Sequence, residues 1–165
     1  MGASLIVSIA VASGASARPT VGQNVSSRNT LEAQVLVEIN TLRRQHGLAP
    51  LRTSRALRAA ADAHSGAMVS SGFFSHGDFT RRVARYYRRS GYSTWSVGEN
   101  LLWSSPDVDA TRAIRMWLNS PGHRRILLTA RWREIGLSAV HVDAGPGVFG
   151  GVPVTVVTAD FGVRH

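Results

Sequence analysis

Three short segments of the chain place a titratable side chain close to a glycine, where reactive groups and backbone can line a cleft. The segments are Gly72-Phe73-Phe74-Ser75-His76, Gly98-Glu99-Asn100-Leu101 and Ser120-Pro121-Gly122-His123-Arg124. Two histidines and a glutamate that meet in one cleft would bind a divalent cation or perform acid–base chemistry. Composition and spacing alone do not choose between these two roles.

Two amphipathic helices are predicted ahead of the first segment. In the first helix, apolar residues recur three or four positions apart, Thr30 is the N-cap, and Gly47 provides a left-handed turn at the end. The second helix begins at Ser54 and places His64 on its apolar face. A histidine in that position is normally a hydrogen-bonded core residue, so we interpret His64 as structural.

Two further helices are predicted on either side of the Glu99 segment. Asp78 caps the third helix, which ends at Gly91, while residues 105–107 open a fourth helix that Pro121-Gly122 stops. The three candidate segments would then all be loops. The outward face of the third helix is basic and carries Arg81, Arg85, Arg88 and Arg89. We interpret it as a solvated face or as a contact for an acidic cell-envelope polymer or anionic lipid headgroups.

Segments rich in Val and Gly predict β-structure after Trp132. Residues 135–142 and 152–161 flank a turn signal at 143–147, and residues 95–103 can supply a third strand. Helices followed by a hairpin imply an α+β domain with about four helices packed on a small antiparallel sheet.

Composition limits the class of protein further. The 165-residue chain has a formal net charge of +9, with 19 basic and 10 acidic side chains, and it contains no cysteine. Disulfides, thiolate metal sites and a cysteine nucleophile are thereby excluded. No apolar run reaches the roughly 20 residues of a membrane-spanning helix. No nucleic-acid-binding motif accompanies the charge, so nucleic acid is not the expected partner. We expect one basic globular domain that is monomeric.

The N-terminal residues are similar to an export signal. Residues 1–17 are uncharged, with an apolar run at 5–12, and they end in Ala15-Ser16-Ala17, whose small side chains suit a signal peptidase. We expect residues 18–29 to form a polar segment and residues 30–165 to form the domain of a secreted or cell-envelope protein. The start of the chain lacks the usual positive charge, which leaves an ordinary apolar N-terminus as the alternative.

The order of several motifs resembles the CAP superfamily, which contains cysteine-rich secretory proteins, antigen 5 and pathogenesis-related proteins. The resemblance spans about residues 31–163 and implies a three-layer α-β-α sandwich. The absence of cysteine fits a bacterial branch of this superfamily. The motifs are L-x-x-A-A-x-x-H-x-x-x-M over residues 57–68, Phe74-Ser75-His76, Gly91-Tyr92, Gly98-Glu99-Asn100, residues 117–127, Ile135-Gly136 and Ala159-Asp160-Phe161-Gly162.

The resemblance also implies a site. Members gather two histidines and two acidic residues in a central cleft, and several bind a divalent cation through the histidines. Here His76 and His123 match the histidines and Glu99 the first acid, whereas Ser120 stands at the position of the second acid. Two imidazoles leave a zinc ion two protein ligands short of a closed tetrahedral site. We therefore expect zinc to bind weakly at His76 and His123, open to water or a ligand.

Two functions follow as hypotheses. The first is a secreted binding module whose cleft holds a divalent cation or a small apolar ligand, with a lipid or sterol implied by the resemblance. The alternative is a metal-assisted hydrolase or peptidase in which His76 and His123 hold the ion and Glu99 activates water. Catalysis stays open, and the binding module is preferred because Ser120 cannot replace a carboxylate as a base. Glu99 also has a structural interpretation, as a buried carboxylate bonded to backbone amides around Gly98 and Asn100.

Overall fold

A computed structural model describes residues 21–91 and 94–165 of the chain. The predicted export signal at residues 1–17 lies outside the described residues. The described chain contains, in order, α1 (Val21–Gln45), β1 (Arg52–Thr53), α2 (Arg55–Ser71), α3 (Phe79–Arg89), β2 (Trp95–Ser104), α4 (Ala110–Leu118), α5 (Pro121–Leu127), β3 (Glu134–Val142), a 3-10 turn (Gly147–Phe149) and β4 (Val154–Arg164).

The strands form one sheet in the order β1-β3-β4-β2. The strand β4 pairs antiparallel with both β2 and β3, which confirms the predicted α+β fold and its three long strands. The two residues of β1 pair parallel with β3, so the sheet is mixed rather than antiparallel throughout. A strand of two exposed residues has no periodic pattern that would predict it.

The sheet lies between two layers of helices because successive side chains of a strand point to opposite faces. On β4, Val157 and Phe161 pack in a core cluster with residues of α1 and α4. The alternate residues Thr158 and Asp160 face the other way: Thr158 contacts Ser65 of α2 through their hydroxyl oxygens, 2.7 Å apart. Asp160 shares this second face, which α2 and α3 cover. The alternation thus aims an acidic side chain into the α2–α3 layer.

Three of the residues predicted to begin or end helices have the expected roles. Ser54 is the N-cap of α2, and the Asp78 carboxylate accepts a hydrogen bond from the Arg81 backbone N at 3.0 Å, as a cap of α3 should. Gly47 has φ +68°, the predicted left-handed turn after α1. However, α1 begins at Val21, so Thr30 lies within the helix and is not its cap.

The predictions around the fourth helix were wrong in two respects. The helix α4 begins at Ala110, because Asp109 and not the 105–107 segment supplies the cap, accepting a hydrogen bond from the Arg112 backbone N at 2.7 Å. Pro121 does follow the end of α4, but it also starts α5, where proline is favoured in the first turn. The fixed φ of proline suits both a position after the end of α4 and the first turn of α5. The sequence predicted only the first of these roles.

The helix α2 crosses β3 in direct backbone contact at Gly136. A Cβ atom built on Gly136 would lie 2.1 Å from the backbone of Leu57 and Arg58. Only a residue without a side chain allows this approach. The crossing fixes the position of α2, which leads into the loop that carries His76.

Candidate functional site

The centre of the site is a pair of buried carboxyl groups on neighbouring strands. Glu99 on β2 and Asp160 on β4 are register partners, and their exposed fractions are 2% and 0%. Arg82 of α3 reaches both: its guanidinium forms an ion pair with Glu99, and Nη2 lies 3.6 Å from Oδ1 of Asp160. One positive charge therefore serves two acids that have been removed from water.

The protonation of this cluster follows from its charge balance. Burial raises the pKa of Glu99, although the Arg82 guanidinium opposes this shift. Burial and the adjacent Glu99 raise the pKa of Asp160 well above its usual range. Glu99 accepts hydrogen bonds from Arg82 and His76, whereas neither carboxyl oxygen of Asp160 makes a hydrogen bond within the described residues. Two carboxyls sharing one cation titrate as a unit, and the pair retains a proton to a higher pH than two exposed carboxyls would.

His76 is held by this cluster at two points. Its Nδ1 lies 2.8 Å from Oε1 of Glu99, and its backbone oxygen accepts a hydrogen bond from Nη1 of Arg82 at 3.3 Å. Burial and the Arg82 charge lower the pKa of His76, so the imidazole is neutral at neutral pH. Nδ1–H then donates to the Glu99 carboxylate, and the lone pair of Nε2 remains for a ligand. Half of the side chain is exposed to solvent.

His123 faces His76 from α5. The two ring centroids are 6.4 Å apart, with a 50° angle between the ring planes. Burial and the neighbouring His76 lower the pKa of His123, so this imidazole is neutral as well. The side chain of Asn100 on β2 donates a hydrogen bond to the His123 backbone oxygen at 3.0 Å, which ties α5 to the sheet. His123 thus lies on a helix, where a loop was predicted, and Glu99 lies on the strand predicted at residues 95–103.

The roles predicted for Glu99 need correction in one respect. Its carboxylate is buried, as the structural interpretation held, but its partners are the His76 and Arg82 side chains and not backbone amides around Gly98 and Asn100. Its side chain has no exposed surface. In this arrangement Glu99 orients His76 and has no free edge with which to contact a bound water.

Metal ligation at the cleft rests on the two histidines. Across residues 21–91 and 94–165, no group of three or more His, Asp or Glu side chains is arranged to hold a metal ion. Ser120, at the position of the second acid, is the N-cap residue of α5, and its side chain makes no capping hydrogen bond. Two neutral imidazoles fit a weakly bound zinc ion with open coordination positions, and zinc at His76 and His123 stays a prediction.

Arg82 and Asp160 were not predicted as site residues, although the sequence carries a signal for each. Arg82 lies three residues after Phe79 and four before Tyr86, on the helix face assigned to the interior. Asp160 stands within a run of buried strand residues. A lone charge on each of two buried faces indicates an ion pair between them.

His64 has the structural role predicted for it. It is 7% exposed, and its Nε2 lies 2.9 Å from the backbone oxygen of Ser75, to which it donates. Burial lowers the pKa of His64 to about 4, so this imidazole is neutral. The hydrogen bond anchors the residue that immediately precedes His76.

The fold and this cluster together define a class of domain, and the comparison with known families identifies it. A sequence model of the cysteine-rich secretory protein family, CAP, matches residues 36–161. The match includes His76, Glu99, His123 and Asp160. The chain therefore belongs to the CAP family, and its lack of cysteine places it in a cysteine-free branch.

Three similar proteins show where relatives of this domain occur. YlbC, an uncharacterised membrane protein of Bacillus subtilis, is 32% identical over 67% of this chain. An extracellular protein of Bacillus anthracis with an SCP domain is 26% identical over 88% of the chain, with a TM-score of 0.68. An outer surface protein of Borrelia burgdorferi, at 21% identity over 79% of the chain and a TM-score of 0.60, shares the fold.

The lengths of these proteins differ. The chain covers 32% of the B. subtilis protein and 44% of the B. anthracis chain, but 90% of the B. burgdorferi chain. No described helix is long and apolar enough to cross a bilayer.

Proposed function

We propose that this CAP domain acts outside the cell as a binding module, and that its ligand site is the cleft between His76 and His123. The observation that supports the cleft is the facing pair of neutral imidazoles, 6.4 Å apart, over a buried acid cluster. The names of two structural relatives, an extracellular protein and an outer surface protein, support the location. Secretion through residues 1–17 is part of the proposal.

The first ligand of the cleft is a divalent cation such as zinc. Nε2 of His76 is available because Nδ1 is bonded to Glu99. The Arg82 charge does not repel the cation strongly, since Arg82 is ion-paired with Glu99. Two imidazoles leave the remaining coordination positions to water or to an oxygen-bearing ligand, so the affinity is weak and exchange is easy.

The metal-assisted hydrolase is not favoured by any contact in the described site. It needs Glu99 as a base, and both oxygens of that carboxylate are bonded to His76 and Arg82. A lipid or sterol in the cleft likewise has no specific contact in its favour. An acidic polymer would contact the basic face of α3, which is a different surface.

Titration calorimetry of zinc into the full chain tests the proposal. We expect heat in the wild type that is lost in His76→Ala and in His123→Ala. The matched control is His46→Ala, because His46 is exposed just after α1 and its Nδ1 lies against the Leu42 backbone oxygen. Absence of heat in the wild type, or equal binding in all variants, would refute a cation site at this cleft.

A further inference from the structure

A concave surface lies alongside α3, and Arg82 of the acid cluster is among its lining residues. It is a groove of about 1050 Å³ between α2, α3 and the first residue of β2, here called the α3 groove. Small residues of α2 form one wall, and long basic and aromatic side chains form the other. The principal lining residues are Ala63, Ala67, Arg81, Arg85, Arg88 and Trp95.

The described residues do not neutralise the positive charge of the α3 groove. Arg81, Arg85 and Arg88 are exposed, and none of them forms an ion pair with another described residue. Among the groove residues, the acid is Asp78, and its carboxylate is occupied in capping α3. Three guanidinium groups along one concave wall create a local positive potential that attracts an anion.

The spacing of the charges favours a polymer over a small anion. From Arg81 to Arg88 the helix rises about 10 Å, at 1.5 Å per residue, so one compact anion cannot contact all three side chains. Each guanidinium can form a bidentate pair with a carboxylate or a phosphate. A chain that carries an acidic group on successive units would match this row.

Aromatic side chains in the same groove indicate what the units of that polymer are. Trp95 lies where β2 enters the groove, and the Arg88 guanidinium is 6.0 Å from the centroid of its ring. Tyr86 also lines the groove. Aromatic rings give broad apolar faces with a polar edge, which suits the C–H faces and hydroxyl groups of sugar rings.

A membrane surface fits this groove less well. Basic amphipathic surfaces that insert into lipid bilayers also expose large apolar side chains. The exposed large apolar side chains of the described chain are Val37, Val148 and Val152, and none of them belongs to the α3 groove. The concave shape also suits a strand of polymer rather than a flat surface.

We propose that the α3 groove binds an acidic polysaccharide of the cell envelope. Arg81, Arg85 and Arg88 contact its acidic groups, and Trp95 and Tyr86 contact its sugar rings. This inference goes beyond the cation cleft and does not depend on it. It also accounts for part of the +9 charge, to which the cleft makes no contribution.

The test measures binding of the full chain to soluble polygalacturonate, with uncharged dextran as the reference polymer. The variant Arg81→Gln/Arg85→Gln/Arg88→Gln removes three groove charges, and Arg112→Gln/Arg115→Gln/Arg125→Gln removes three exposed charges from α4 and α5. Glutamine keeps a good helix former at each position. We expect the groove variant to weaken binding about tenfold or more, and the control variant by less than about twofold.

Several outcomes would overturn this proposal. Equal losses in the two triple variants would mean that net charge alone drives binding. Equal affinity for dextran and for polygalacturonate would show that the arginines do not contribute to binding. Tighter binding to phosphatidylglycerol vesicles, to duplex DNA or to linear polyphosphate would assign the groove to a different partner. Zinc titration of the groove variant is expected to match the wild type, which separates this result from failure of the cation site.

Discussion

Glu99 and Asp160 lie directly opposite each other on β2 and β4, both buried, with the single guanidinium of Arg82 between them. This relationship joins the stability of the domain to the geometry of its cleft. Arg82 holds α3 against the sheet, and Glu99 transmits its fixed position to the His76 ring. The same ion pair therefore governs folding and the orientation of a candidate ligand.

Loss of the shared cation should destabilise the fold strongly. In Arg82→Ala, two buried carboxyl groups lose their counter-charge, and we expect the free energy of unfolding to fall by about 3–5 kcal/mol at neutral pH. Urea unfolding followed by circular dichroism measures this change. The control Arg81→Ala alters an exposed neighbour and should stay within about 0.5 kcal/mol of the wild type. Equal effects in the two variants would contradict the buried ion pair.

Stability should depend on pH through His64. Burial lowers the pKa of His64 to about 4, so the unfolded chain binds a proton at a higher pH than the folded chain does. The contribution of neutral His64 is complete above pH 6.5 and is lost as pH falls towards 4, by about 3 kcal/mol in all.

The variant His64→Gln isolates this effect, because its amide can still donate to the Ser75 oxygen. The raised pKa of Asp160 acts in the opposite sense and strengthens the fold as pH falls, but it is present in both proteins. The stability of the wild type relative to His64→Gln should therefore decrease as pH falls below 6.5. A constant difference would show that His64 is not buried in its neutral form.

Zinc affinity should depend on the hydrogen bond that orients His76. We expect Glu99→Gln to weaken zinc binding about 10-fold to 100-fold, since an outer carboxylate fixes the tautomer and raises the basicity of a metal-binding imidazole. Asp160→Asn, which leaves the His76–Glu99 contact intact, is the control and should change affinity by less than about threefold. Calorimetry on proteins with matched circular dichroism spectra makes the comparison. Equal zinc affinity in Glu99→Gln and the wild type would show that the Glu99 carboxylate does not support zinc binding.

The contact between α2 and β3 should not tolerate a side chain. In Gly136→Ala, the new methyl group would meet the backbone of Leu57 and Arg58 at 2.1 Å, and we expect a loss of about 3 kcal/mol or more. Gly66→Ala is the matched change on α2 itself, where a Cβ atom meets nothing within 4 Å. That substitution should raise stability by about 0.5–1 kcal/mol, because alanine favours the helix. Thermal unfolding of both variants compares them directly.

The sequence predicted those features that repeat along the chain. The apolar spacing of α2 and α3 and the Val-rich strands gave the α+β fold, because burial imposes a period on helices and strands. The short elements were not predicted. The two residues of β1 are too few to show a hydrophobic period, and the proline at the start of α5 was interpreted as the end of α4.

The site was predicted only as far as motifs mark it. His76, Glu99 and His123 stand in short motifs, whereas Arg82 is one arginine among several on α3 and was not singled out. Which arginine faces the interior depends on how α3 packs on the sheet. Its pairing with Asp160 becomes visible only when β4 lies beside β2. Long-range pairing of two charges leaves no trace in the spacing of either segment.

The two tethers of His76 have an entropic consequence. A half-exposed histidine on a loop normally samples several side-chain conformations and loses them when it binds a ligand. Here the Glu99 carboxylate fixes the ring, and Arg82 fixes the backbone beside it. The loss of rotational freedom has therefore occurred on folding, and any ligand that reaches Nε2 meets a donor atom already in place.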